Sequence, residues 1–222
     1  ICAGVERLIA DKGLDPAKVV LWCDWQSIYQ DDKAEKLKGV MSLIKYATLS
    51  HYMLVPTEEA ELGELASRYP EEIPQYGGRG WCRCEYFIFS LWAEMLGREA
   101  ELYAILVDGG LHRYPKVSVY GEEYMPSGGA LSNPNDKAAV QGLEDAMIAA
   151  YGKGTIEKAC KAGGRVDLTA KMLRASHVPA LVEAVEAYKV EGLYLTNNQF
   201  GVDGAKALAE WLAANTTLAV LR

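Results

Sequence analysis

The sequence predicts an α/β fold: a doubly wound domain built on a parallel sheet, followed by a shorter α/β unit with an internal repeat. Three observations predict it. The apolar runs "KVVLWCDW", "HYMLVPT", "ELYAILVD" and "KVSVYG" are strand-length and do not alternate with polar residues, which is the pattern of strands covered on both faces. Segments with helical spacing separate them, so consecutive strands run parallel. In the last third of the chain, apolar residues recur at a nearly constant interval, the one that separates Leu168, Leu195 and Leu221.

In chain order, Val5 to Ala10 reads as the end of an amphipathic helix. Lys18 to Trp25 is a buried strand that runs into the polar loop "DWQSIYQDD", and "KAEKLKGVMSLIKYAT" returns to helical spacing. Asp31-Asp32 starts that helix, where carboxylates favour the first turn; it does not read as a cation site. "HYMLVPT" is a second strand, "EEAELGELASRY" a short helix, and "PEEIPQYGGRG" a loop. "GGRG" supplies turn flexibility and lacks the Lys-Ser/Thr of a phosphate-binding loop. A helix from Trp81 onward comes next, then strands at Glu101 to Asp108 and at "KVSVYG". "YMPSGGALSNPND" is a linker, with Asn135 or Asp136 capping a helix that runs toward Tyr151. The domain boundaries expected are 1–124 for the first domain, 125–162 for linker and connecting helix, and 163–222 for the repeats.

With 222 residues, half of them hydrophobic, the chain can bury a large core. Its net charge of −7 argues against nucleic acid or an anionic membrane as the main partner. No run reaches membrane-spanning length. The five cysteines are odd in number and several sit in apolar contexts, which predicts reduced thiols and a cytoplasmic protein. Cys82 and Cys84 lack a second Cys/His pair at zinc spacing, so no metal is assigned. His51, His112 and His177 match no triad, and Trp22, Trp25 and Trp92 read as core or crevice wall.

Glu85 stands out in "RGWCRCEYFIFSLWAEM". Its helical neighbours at three and four positions are Trp81, Cys82, Ile88 and Phe89, all apolar, whereas Arg83, Ser90 and Glu94 lie on another side. A carboxylate on an apolar stripe finds a partner, carries a raised pKa, or lines a cleft. Two readings stay open at this point: a structural Glu bonded to backbone or an Arg, or a site carboxylate kept partly dry. In doubly wound sheets ligands bind beyond the carboxyl ends of the strands, where the loop with Asp24, Gln26, Ser27 and Gln30 and the loop containing Arg79 both belong.

Strand, "DWQSIYQDD", helix, strand and then "RGWCRCE" resembles the Toll/interleukin-receptor-like (TIR-like) superfamily over roughly the first 120 residues. In the family's NAD-cleaving members a Trp-Cys-x-x-Glu element opens the helix after the third strand; Trp81-Cys82-Arg83-Cys84-Glu85 matches it in spacing and residue type. The resemblance implies a flavodoxin-like fold, Glu85 as catalytic residue, and Trp81, Asp24, Gln26, Ser27, Gln30 and Arg79 around the substrate. It also implies that Asp24 to Asp32 is the family's mobile loop, that NAD is a substrate with no separate cofactor, and that the domain self-associates. The family's domain begins with a central strand, whereas this chain opens at Ile1 on the helix that follows it. A domain without its first strand, cut from a longer protein, is therefore expected.

Val190-x-x-Leu193-x-Leu195-x-x-Asn198-x-Phe200 fits the leucine-rich repeat template. Val166, Leu168, Lys171 and Leu173 fill the slots of Leu193, Leu195, Asn198 and Phe200 one repeat earlier, and Leu218 and Leu221 fill those of Val190 and Leu193 one repeat later. Leu168, Leu195 and Leu221 are thus expected on adjacent parallel strands, with a helix over Ala205 to Ala213 outside them. Asn198 offers a donor and an acceptor to the backbone where the chain leaves the ladder. The segment resembles ribonuclease-inhibitor-type repeats, which implies a short solenoid that binds a protein ligand and continues past Arg222, since two repeats bury too little alone. Two functions remain: an intracellular signalling or immune-type sensor that cleaves NAD, and a non-catalytic protein-protein interaction scaffold.

Overall fold

The structure, a computed structural model, describes residues 1–29, 31–56, 78–113 and 125–222. The expected helix at 58–69, the strand at 116–121, most of the loop at 70–80 and Gln30 lie outside these residues. The fold is mixed α/β, and the chain divides into two compact units, Ile1–Glu144 and Asp145–Arg222.

In the first unit, helix α1 (Cys2–Lys12) buries Gly4, Val5 and Leu8 on one face and ends at Gly13, whose left-handed φ of 62° lets the Leu14 N–H turn back to the Ile9 carbonyl. Strand β1 (Tyr52–Pro56) pairs in parallel with β2 (Glu101–Ile105), Tyr52 opposite Glu101. Helix α1 runs antiparallel along β2. A Cβ on Gly4 would meet Ile105 Cγ2 at 2.5 Å, and at the other end Lys12 pairs with Glu101, which also accepts the Tyr103 hydroxyl at 2.6 Å.

Three expectations change here. The run Lys18 to Trp25 is not a strand: Pro16–Lys18 forms a 3-10 turn and Asp24–Ser27 a single helical turn, α2. Between them Val20 and Leu21 are 90% and 59% exposed, while Trp22 stacks on Tyr46 at 5.0 Å. An apolar run supplies strand propensity, but a strand exists only where a neighbour completes its ladder. Second, the strand expected to reach Asp108 stops at Ile105, and the chain folds back as β3 (Leu111–Arg113), antiparallel to β2. Asp108 accepts the Gly110 N–H at 2.8 Å and Gly109 takes a φ of 84°, so turn chemistry ends the strand. The described sheet, in order β1-β2-β3, is mixed instead of purely parallel. Third, the helix beginning at Lys33 is two: α3 (Lys33–Met41) and α4 (Leu43–Leu49), parted at Ser42, whose hydroxyl bonds the Lys38 carbonyl at 2.9 Å. Asp32 caps α3 by accepting from Ala34 and Glu35 N–H at 2.8 and 2.9 Å.

Helix α5 (Gly80–Met95) is apolar on most sides, and Cys84, Phe87, Ile88, Phe89 and Leu91 are buried. The stretch read as a linker packs against it. Met125 and Pro126 are buried, and Arg79 bridges to Ala130. Asn133, not Asn135 or Asp136, caps the 3-10 turn that precedes α6 (Lys137–Cys160). The division between the two units falls inside α6, later than position 124.

The second unit holds parallel strands β4 (Arg165–Asp167), β5 (Gly192–Tyr194) and β6 (Val220–Leu221). Val166 pairs with Leu193 and Leu193 with Leu221, so the slots shared by these three residues give the register, whereas Leu221 stands opposite Leu193 and not opposite Leu195, as the spacing of Leu168, Leu195 and Leu221 had implied. Leu168 and Leu195 stand just past the strand ends, and their N–H groups extend the ladder to Tyr194 and Arg222 carbonyls. Helices α7 (Val178–Ala187) and α8 (Gly201–Ala214) follow the first two strands. Ala170 and Asn197, at matching places after β4 and β5, both take positive φ, 52° and 58°. The core joins Ile156 and Cys160 of α6 to Val166, Leu168, Leu181, Val185 and Leu193. That membership places the end of the connecting helix in this unit.

His177 is buried here and neutral: its Nδ1 accepts the Arg174 N–H at 2.8 Å and its Nε2–H faces the Ile148 carbonyl at 3.2 Å. Burial holds its pKa below the ordinary value of 6.5 against the backbone contacts to Ile148 and Arg174, which raise it, and the charge of Arg174, itself paired with Asp145, adds a lesser lowering. A lowered folded pKa means that the unfolded chain takes up the proton first, so stability is complete above about pH 6.5 and falls as the pH drops below it. Acid should therefore lower the unfolding midpoint of this unit, and His177→Gln should flatten that slope between pH 7 and 5. An unchanged slope in the variant would clear His177.

Candidate functional site

The first turns of α5 carry the candidate residues because Gly80 allows a close approach and Arg79, extended at φ −94° and ψ 130°, sets the entry. Arg79 is exposed, Trp81 and Glu85 are half-buried, and Cys82 is buried on the adjoining face. Trp81 and Glu85 are one helical turn apart and share a side of α5.

Burial pushes the Glu85 carboxyl up to about 8, the nearby charge of Asp24 adds to the rise, and Arg79 opposes it. The Cys82 thiol is pushed up to about 12, first by burial and then by Glu85, with Arg79 opposing and Asp24 adding. These shifts identify Glu85, Asp24, Arg79 and Cys82 as one electrostatic group. Such a thiol is inert at neutral pH, and burial raises Cys84 in the same way, which removes both cysteines as nucleophiles. All five cysteines are free.

Of the other expected residues, Asp24, Gln26 and Ser27 occupy α2 and are exposed. Ser27 turns its hydroxyl to its own turn, accepting the Cys23 N–H at 3.3 Å. Among the described contacts none joins Gln26 or Ser27 to Glu85, so of the described residues of that loop Asp24 is the one whose charge reaches Glu85. Among the described residues, no group donates a hydrogen bond to the Glu85 carboxyl, and no cluster of three or more His, Cys, Asp or Glu could hold a metal ion.

Sequence reasoning missed Asp136 as a site neighbour. Its Oδ2 accepts the Trp81 indole N–H at 3.0 Å across 55 residues of chain. No local signal announces a contact of that range.

In the second unit Asn198 is the organising polar residue. Its Oδ1 accepts Lys171 and Leu173 N–H at 3.0 and 2.9 Å, and its Nδ2 donates to the Leu168 and Leu195 carbonyls at 2.8 Å each. One amide thus ties the turns after β4 and β5 together. Among the described residues no helix is long and apolar enough to cross a membrane. No family model, curated protein or solved structure matches the chain.

Proposed function

We propose that the first unit is a TIR-like domain that cleaves NAD at the nicotinamide-ribose bond, and that the second is a run of leucine-rich repeats that binds a protein ligand, as in an intracellular signalling or immune-type sensor. The observation that carries the reading is the placement of Glu85: a carboxylate on a partly dry helix face, one turn after Trp81, beside Asp24 and Arg79. Cleavage breaks the bond between C1′ of the ribose and the nicotinamide nitrogen. Nicotinamide leaves with the electron pair, positive charge builds on the ribose, and water adds at C1′ with loss of a proton, giving ADP-ribose. Glu85 as an anion stabilises that charge, Trp81 forms the cleft wall, and the exposed Arg79 meets the pyrophosphate. The repeat reading is supported by the evenly spaced parallel ladder and by the Asn198 turn.

A second reading, a non-catalytic scaffold, is favoured by the same pKa. With a pKa of about 8, only about one Glu85 in ten is ionised at pH 7. The two readings diverge with pH. The full chain incubated with NAD should release nicotinamide at a rate that rises from pH 6 and levels off above about 8, followed by chromatography. No release at pH 8.5, where most Glu85 is ionised, would retire the enzymatic reading and leave the scaffold.

A further inference from the structure

Residues 125–136 return to the first turn of α5 and fasten it. Gly80 N–H donates to the Ala130 carbonyl at 2.8 Å, and Ala130 N–H to the Gly78 carbonyl at 2.8 Å. A Cβ on Gly80 would meet Leu131 Cδ2 at 2.8 Å and the Pro126 carbonyl oxygen at 3.1 Å, and a Cβ on Gly129 would meet the Gly80 nitrogen at 2.6 Å. At Gly129 only hydrogen fits against the backbone, and at Gly80 the Leu131 side chain would have to give way. Glu144, 2% exposed, anchors the start of the segment by accepting the Ser127 N–H at 2.9 Å. At its other end the Asp136 carboxylate takes the Trp81 indole N–H on one oxygen and the Asn133 amide, at 3.1 Å, on the other. Glu85 follows Trp81 by one helical turn, so the two share a side of α5, and helical side chains tend to lean toward the N-terminus.

We propose that residues 125–136 are a strap that sets the site, with Asp136 as its positioning residue: by holding the Trp81 indole it fixes the face of α5 that bears Glu85 and keeps water from that carboxyl group. The consequence for catalysis rests on the NAD-cleaving reading; the strap itself does not. Release of the indole lets Trp81 swing away and hydrates Glu85, whose proton is then lost more readily.

The test uses the full chain, with Asp136→Ala, Asp136→Asn and Trp81→Phe variants. Indole hydrogen exchange and the Glu85 carboxyl titration are followed by NMR, and nicotinamide release from NAD is measured in parallel. In Asp136→Ala the Trp81 indole proton should exchange about tenfold faster or more. The Glu85 midpoint should fall from about 8 by about one unit or more. At pH 8.5, where Glu85 is mostly ionised in both proteins, nicotinamide release should lose about tenfold or more in kcat with KM little changed. Asp136→Asn keeps an oxygen for the indole, gives up only the exposed Asn133 contact, and should match the parent. Trp81→Phe removes the same hydrogen bond from the other side and should lower the Glu85 midpoint too. A Glu85 midpoint unmoved in both Asp136→Ala and Trp81→Phe overturns the proposal, and equal, measurable kcat at pH 8.5 in the parent and Asp136→Ala overturns its consequence for catalysis. A fallen midpoint with no nicotinamide release from any protein, the parent included, supports the strap and overturns the enzymatic reading.

Discussion

On the proposed NAD-cleaving reading, Glu85→Gln is expected to lower nicotinamide release at pH 8.5 by on the order of a hundredfold, because a fixed anion beside the developing ribose cation would lower the barrier by a few kcal/mol. The amide keeps the shape of the protonated carboxyl and cannot become the anion. The same change should make the protein more stable in alkali. The folded pKa of about 8 lies above the unfolded value near 4.5, so the folded chain holds a proton that the unfolded chain has lost. Stability from this group is complete below about pH 4.5 and is lost as the pH rises toward 8. Above pH 8 the parent bears the cost of a half-buried charge, and Glu85→Gln should gain about 2–4 kcal/mol over it, read from urea denaturation at pH 8.5 against pH 5. A variant that loses activity and gains stability together has surrendered a strained functional group. A loss of stability at both pH values would instead make Glu85 a structural residue, and undiminished release would remove it from catalysis.

Asn198→Ala is expected to cost the second unit about 3 kcal/mol or more, a large share of what holds a domain of ordinary stability. The substitution strands two N–H donors, of Lys171 and Leu173, and two carbonyl acceptors, of Leu168 and Leu195, at turns that carry positive φ. Asn198→Asp keeps the acceptor and loses both donated bonds, so it should fall between the parent and the Ala variant. Trp211, which donates to Glu186 at 2.9 Å on the neighbouring helix, reports on this unit, and fluorine-labelled tryptophan separates its signal from the other tryptophans. A cost below about 1 kcal/mol for Asn198→Ala would show that the strands hold together without the amide.

The sequence by itself determined most where the pattern repeats. The even spacing of Val166, Leu193 and Leu221 located β4, β5 and β6, and the single amide at Asn198 located the turn, because each repeat must satisfy the same backbone groups in the same place. Helix α5 was equally legible, from an apolar face at helical spacing interrupted by one carboxylate. The strand at Tyr52–Pro56 and the one beginning at Glu101 followed from their apolar runs. Only the tertiary structure decided which apolar runs become strands. Val20 and Leu21 have the same composition as Leu54 and Val55, yet they stand exposed, because a strand needs a partner's N–H and C=O groups and a run of residues does not state whether one is available. The reversal at Gly109–Gly110 was written in two glycines and an aspartate but hidden by the apolar residues before it. The site was divided in the same way. Glu85, Trp81 and Arg79 share one helix start and could be read together, whereas Asp24 and Asp136 arrive from distant segments, brought there by packing energies that are summed over the whole core and leave no mark on the residues nearby.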